Sequence, residues 1–139
     1  MFEIFTSFLP KIQNVDYGEW IVDRENDGTP EHPFQMPFVA YTHVVREFED
    51  TVYRFINEHE DMELNRYGEI LSAAGIEWDA KSMENASVTS LDGTTIMALI
   101  VGAIRAERFC DGALLGFFKS GCIAKWLLRL QEIDASEES

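Results

Sequence analysis

Basic residues are scarce in this chain. Eleven Lys and Arg stand against 25 Asp and Glu, a formal charge of −14 over 139 residues. A surface that grips nucleic-acid phosphates needs clustered Lys and Arg, and no basic stripe occurs, so direct binding to DNA or RNA is not expected. The same deficit disfavours docking on anionic lipid. Cysteine is nearly absent: Cys110 and Cys122 are the only two, with no CxxC pair between them. They cannot build a disulfide framework, and among apolar neighbours each is expected to pack as a small hydrophobe. The three histidines, His32, His43 and His59, never recur at i,i+4, so the ligand spacing of a zinc site is missing. No GxGxxG, P-loop or GxSxG element is present.

Long apolar runs are missing as well. The longest, Ile96 to Ile104, has nine residues, whereas a membrane span needs about 20. The opening MFEIFTSFLPK lacks the basic region and the small-residue cleavage site of a signal peptide. These absences set the expectation of a soluble cytoplasmic protein with no membrane association, no metal and no cofactor.

What the chain has is enough for one core. Its hydrophobic content is 46% and its aromatic content 12%, which excludes wholesale disorder. Periodicity then places the elements. Phe2, Phe5, Leu9 and Ile12 recur at helical steps, with Pro10 set to break or kink that helix. YGEWIV, Tyr17 to Val22, has strand composition, and FVAY is the returning strand of a hairpin or the entry to the next helix. A strong amphipathic stripe runs from Tyr41 to about Glu58 through Val45, Phe48, Val52 and Phe55. Leu64, Tyr67 and Leu71 mark a shorter helix ended by Gly75. A helical turn is expected near Ser82 to Asn85. Thr89 and Asp92 have the spacing of a capping box ahead of a helix from Gly93 to Phe109 that is apolar almost all round, the mark of a central helix. Ala113–Lys119 and Ile123–Ile133 make the last two.

The pattern therefore predicts a mainly α fold. It is a single-domain bundle of five or six helices around a buried central helix, with room for one small β-hairpin near Trp20. Residues 1–134 form the domain and 135–139 an acidic tail that frays. Ile100, Ile104, Phe117, Trp126 and Leu130 are expected among the most buried residues.

One stretch conflicts with its surroundings. RAERFCDG places Arg105, Glu107, Arg108 and Asp111 at the end of the central helix, between two apolar segments. Glu107 continues the buried row Ile96, Ile100, Ala103, and Arg108 continues Met97, Val101, Ile104. The four charges are either a structural staple at the helix end or the lining of a polar ligand or catalytic pocket. The staple is the expectation, with Arg108 partly or fully buried and bonded to an acid or to helix-end carbonyls. Cys110 beside Arg108 invites an activated-thiol reading, but no histidine stands ready as its base. DRENDGTPE sets Asp23, Glu25, Asp27 and Gly28 in the first positions of a calcium loop, but Phe34 occupies the place of its closing acid, so a solvated turn is expected. Tyr17, Trp20 and Trp78, beside polar residues in loop-rich regions, are candidates to face a partner.

The segments YGEWIVDRENDGTPEHPFQMPFVAY, RYGEIL and AIRAERFCDGALLGFFKSGCIAKWLLRLQEID resemble a bacterial family designated domain of unknown function 6508. The resemblance spans nearly the whole chain, and RAERFCDG and WLLRLQEID carry most of it. It implies a compact bacterial or phage-like domain, and brings no activity, cofactor or catalytic residue. The functional expectation is a non-enzymatic protein-interaction or regulatory module with a protein partner. The first alternative is an enzyme or small-ligand binder using Arg105, Glu107, Arg108 and Asp111. A further one is an acidic decoy of a nucleic-acid-binding protein. The sequence does not fix the oligomeric state.

Overall fold

Asp92 starts the central helix. Its carboxylate accepts the Thr95 amide at 2.8 Å and caps α5, Gly93–Ala106. Such a cap satisfies one of the helix's orphan N–H groups and places a negative charge at its positive end. The N-cap is thus Asp92 itself, and the box expected from Thr89 does not form. Every residue from Ile96 to Ile104 is buried, because no face of α5 is polar enough to be left in water.

The protein is described here from a computed structural model covering residues 1–13, 15–22, 28–31 and 37–138. In chain order the elements are α1 (Glu3–Thr6), β1 (Gly18–Ile21), β2 (Phe38–Tyr41), α2 (His43–Glu58), α3 (Tyr67–Ala73), α4 (Ala80–Asn85), α5, α6 (Ala113–Lys119) and α7 (Cys122–Glu138). Short 3-10 turns at Leu9–Ile12, Glu60–Met62 and Leu64–Arg66 complete them. The fold is mainly helical with one small antiparallel hairpin, as the periodicity predicts. The described residues hold seven α-helices rather than five or six, since the N-terminal turn and the turn near Ser82 both close as short helices. α1 stops at Thr6, and Pro10 falls in the first turn of the 3-10 helix, where its missing N–H costs nothing.

α5 packs against α3, α6 and α7. Phe5 and Phe8 meet Phe48 edge-on, Phe5 also meets Phe55, and Phe48 meets Phe118 of α6 at 5.7 Å. Such edge-to-face pairs add to the stabilisation from burial alone. Ile100, Ile104, Phe117, Trp126 and Leu130 are all buried. Gly75 ends α3 with φ +78°, and the Ile76 amide reaches back to the Leu71 carbonyl at 2.9 Å, the bond that closes a Schellman cap.

α7 runs on to Glu138, beyond Ile133 where the sequence pattern ends it. Asp134 belongs to the packed part of the molecule. It is buried, and its carboxylate accepts the Phe2 amide at 2.9 Å. That bond ties α1 to α7, and the Phe2 ring lies so close to the start of α5 that a Cβ on Gly93 would sit 2.5 Å from it.

In the hairpin, Gly18 faces Tyr41 and Trp20 faces Val39. Facing partners share a side of a pleated ribbon, and so do alternate residues along one strand. Trp20 and Tyr41 therefore project from the same side. That side lies on the turn between α5 and α6.

Candidate functional site

The α5–α6 turn is built around Glu107. Past Ala106 the helix tightens: Glu107, Arg108 and Phe109 donate to carbonyls three residues back, at 3.3, 3.1 and 3.1 Å. A three-residue turn rotates successive side chains by more than the α-helical step. The rows that lead into Glu107 and Arg108 therefore do not continue as drawn for an ideal helix. Glu107 turns inward and Arg108 outward.

The Glu107 carboxylate accepts the amides of Gly112 at 3.0 Å and Leu114 at 3.0 Å, and the Tyr41 hydroxyl at 2.6 Å. The Tyr41 oxygen in turn accepts the Leu115 amide at 3.1 Å. Together these oxygens satisfy the first N–H groups of α6, which has no cap from Gly112. Gly112 has φ +89°, and a Cβ there would collide with the Trp20 ring. Glycine is thus required twice over, by backbone sign and by the ring pressed against it. Burial first, and then its bond to Glu107, push the Tyr41 hydroxyl far above the ordinary tyrosine range, so it acts as a proton donor and not as a base. Glu49, half-buried on α2, is also raised, first by burial and then by the negative charge of Glu107.

The other three charges do not join this corner. Arg105 lies over the Tyr53 ring at 5.4 Å and donates to Asn65 at 3.4 Å. Arg108 is exposed, contrary to the burial expected of it, and its side chain has no bonding partner among the described residues. Asp111 is exposed and likewise unpaired there. Among the described residues no side-chain hydrogen bond or ion pair links any two of the four. The staple exists, but a carboxylate makes it.

Beside the corner lies an open groove of about 320 Å³, lined by Trp78, Met83, Ala106, Phe109, Cys110 and Phe117 among others. Its wall forms because Gly102 has no side chain. The Trp78 indole N–H reaches the Gly102 carbonyl at 3.0 Å, and the Met83 methyl and the Trp78 ring both lie within van der Waals reach of the missing Cβ. Asp79 caps α4 through the Ser82 amide at 2.7 Å. That bond holds its carboxyl below the usual range. Phe109 meets Trp78 edge-on at 5.6 Å, yet it is 77% exposed. Trp78 is 40% exposed.

Of the three aromatics singled out from sequence, Trp78 therefore borders the groove and Trp20 covers Gly112. Tyr17 donates to the Ile12 carbonyl at 2.6 Å and packs on Phe118 at 5.1 Å. Sequence reasoning missed Phe109 as a surface residue and Tyr41 as the partner of Glu107. A lone aromatic inside RAERFCDG was the available signal for Phe109, and nothing local flagged Tyr41, 66 positions away. Asp23, Glu25, Asp27, His32 and Phe34 lie outside the described residues. Among the described residues no group of His, Cys, Asp or Glu could hold a metal ion. Cys110 and Cys122 are both free, Cys110 exposed and Cys122 buried. No helix among the described residues is long and apolar enough to cross a membrane.

Fold and site together define a small helical domain with a docked β-ribbon, a closed polar corner and an open apolar groove. The chain belongs to DUF6508, a family of unknown function whose model matches residues 3–136. No curated protein and no solved structure matches it.

Proposed function

We propose that this domain is a non-enzymatic interaction module whose docking face is the groove bordered by Trp78 and Phe109. The observation that carries the reading is Phe109: a phenylalanine with 77% of its surface in water, beside a half-open tryptophan, over an apolar hollow. Large exposed aromatics grouped around a hollow are what interface hot spots are made of. A single exposed apolar residue would need no explanation, but here three features coincide. The groove offers little for catalysis. Its one carboxylate among the described residues, Asp79, is committed to capping α4, and Glu107 at the neighbouring corner is committed to α6. An enzyme centred on Arg105, Glu107, Arg108 and Asp111 would need those side chains to converge, whereas Glu107 faces the start of α6, Arg105 lies over Tyr53, and Arg108 and Asp111 are exposed.

The test is quantitative affinity purification from native cells with the wild-type chain and the Phe109→Asp variant. The substitution sits on an exposed side chain and should leave the fold intact, as checked by an unchanged thermal melt. A protein enriched with the wild type and lost with Phe109→Asp supports the reading. Identical sets of captured proteins from both chains contradict it.

A further inference from the structure

We infer that the groove accepts a basic protein segment that inserts one apolar side chain into the hollow bordered by Trp78, Met83, Phe109 and Phe117. The inference rests on the docking reading above and adds the chemistry of the occupant. Size comes first. A hollow of about 320 Å³ lies at the small end of the range for ligand sites, roughly 300–1,000 Å³. It suits an anchoring side chain better than a large cofactor. Lining comes next: Trp78, Met83, Phe109 and Phe117 offer apolar contact and few polar groups, so the inserted group is apolar.

Charge then selects among apolar occupants. The chain carries −14. Near the groove, Glu77 and Asp79 flank Trp78, Glu84 lies on α4, and Asp111 follows Cys110, all exposed. Lys81 and Arg108 are the exposed cations in the same segments. A second copy of this chain would bring another −14 to the same face, and like charges across an interface are penalised. Fatty acids and anionic lipid surfaces meet the same repulsion. A Lys- or Arg-rich segment is attracted, with an association rate that falls as salt rises.

The protein carries its own reporter for occupancy. Cys110 lines the groove and is exposed, whereas Cys122 is buried. Alkylation by iodoacetamide therefore reads Cys110, and a segment seated in the groove shields it. The probes are three synthetic peptides of equal length: a lysine-rich one with a single central leucine, the same peptide with glutamate for lysine, and the lysine peptide with serine for leucine. Occupancy slows alkylation by 1 + [L]/Kd, so the lysine–leucine peptide should protect roughly tenfold at about nine times its Kd. That protection should fall on raising the salt, and it should weaken in Phe109→Ala and in Asp111→Lys. The glutamate and serine peptides should not protect at the same concentration. Protection by the glutamate peptide as strong as by the lysine peptide overturns the charge inference and leaves the docking reading standing. Equal protection by the serine peptide overturns the anchor. If no peptide slows the reaction up to millimolar concentration, the basic-segment inference fails. If Phe109→Asp also leaves the captured proteins unchanged, the docking reading fails with it.

Discussion

At Glu107 the chain turns inward, and the carboxylate is surrounded by donors from a strand and a helix. Two residues on, at Phe109, an aromatic ring stands out in water. Both belong to one short turn, and the contrast shows how composition can mislead about function. The charged residue has become part of the architecture, and the apolar one has been left outside it. Burying a carboxylate is tolerable only where donors replace the lost water, and the start of α6 supplies them together with Tyr41. Phe109 meets Trp78 edge-on yet leaves most of its surface in water, and that exposure is what the docking proposal rests on.

The largest expected effect separates the two halves of that comparison. Glu107→Ala removes the acceptor for two amides and a hydroxyl, and should destabilise the fold by about 3 kcal/mol, since hydrogen bonds to charged groups are strong and unpaired buried donors are costly. Urea denaturation reads this directly. A smaller loss, about 1–2 kcal/mol, is expected for Tyr41→Phe, which leaves Glu107 with the two amides but takes the acceptor from Leu115. Arg108→Ala, adjacent to Glu107 but facing water, should change stability by less than about 0.5 kcal/mol. A loss comparable to that of Glu107→Ala would place Arg108 in the staple after all.

The smallest effect concerns pH. The Glu49 carboxyl is raised above its ordinary value of 4.5 by burial and by Glu107. A raised acid pKa in the folded state means that the folded protein holds the proton more tightly than the unfolded one. The protonated form therefore stabilises the fold below the ordinary pKa, and that contribution is lost as pH rises through the shifted value. Glu49→Gln should accordingly raise the melting temperature slightly at pH 7, and the gain over wild type should shrink as the pH falls through the raised value towards 4.5. A gain that grows on acidification would contradict the assignment.

Much of the fold was legible because burial imposes period. The unbroken apolar run from Ile96 to Ile104 could only be a central helix, and the stripe from Val45 to Phe55 could only be one face of another. The helix end was where legibility failed. Extending α-helical rows through Arg108 assumed a constant rotation per residue, and the three-residue turns after Ala106 changed it. Asp134 was hidden for a different reason: an acid in a stretch of acids carries no mark of its partner, and that partner, the Phe2 amide, is 132 positions away. The groove was illegible because it depends on an absence. Gly102 lets Trp78 and Met83 approach α5, and a glycine inside an apolar helix gives no hint of which side chains it admits.

The most direct test of the central claim places a photo-crosslinking amino acid in turn at two neighbouring exposed positions, Phe109 and Arg108, in cells. Phe109 borders the groove, whereas Arg108 is one of the four charges of the alternative polar site. A discrete protein adduct is expected from position 109 and a much weaker one, or none, from position 108. A strong adduct from 108 with none from 109 would favour the polar-site alternative over the groove.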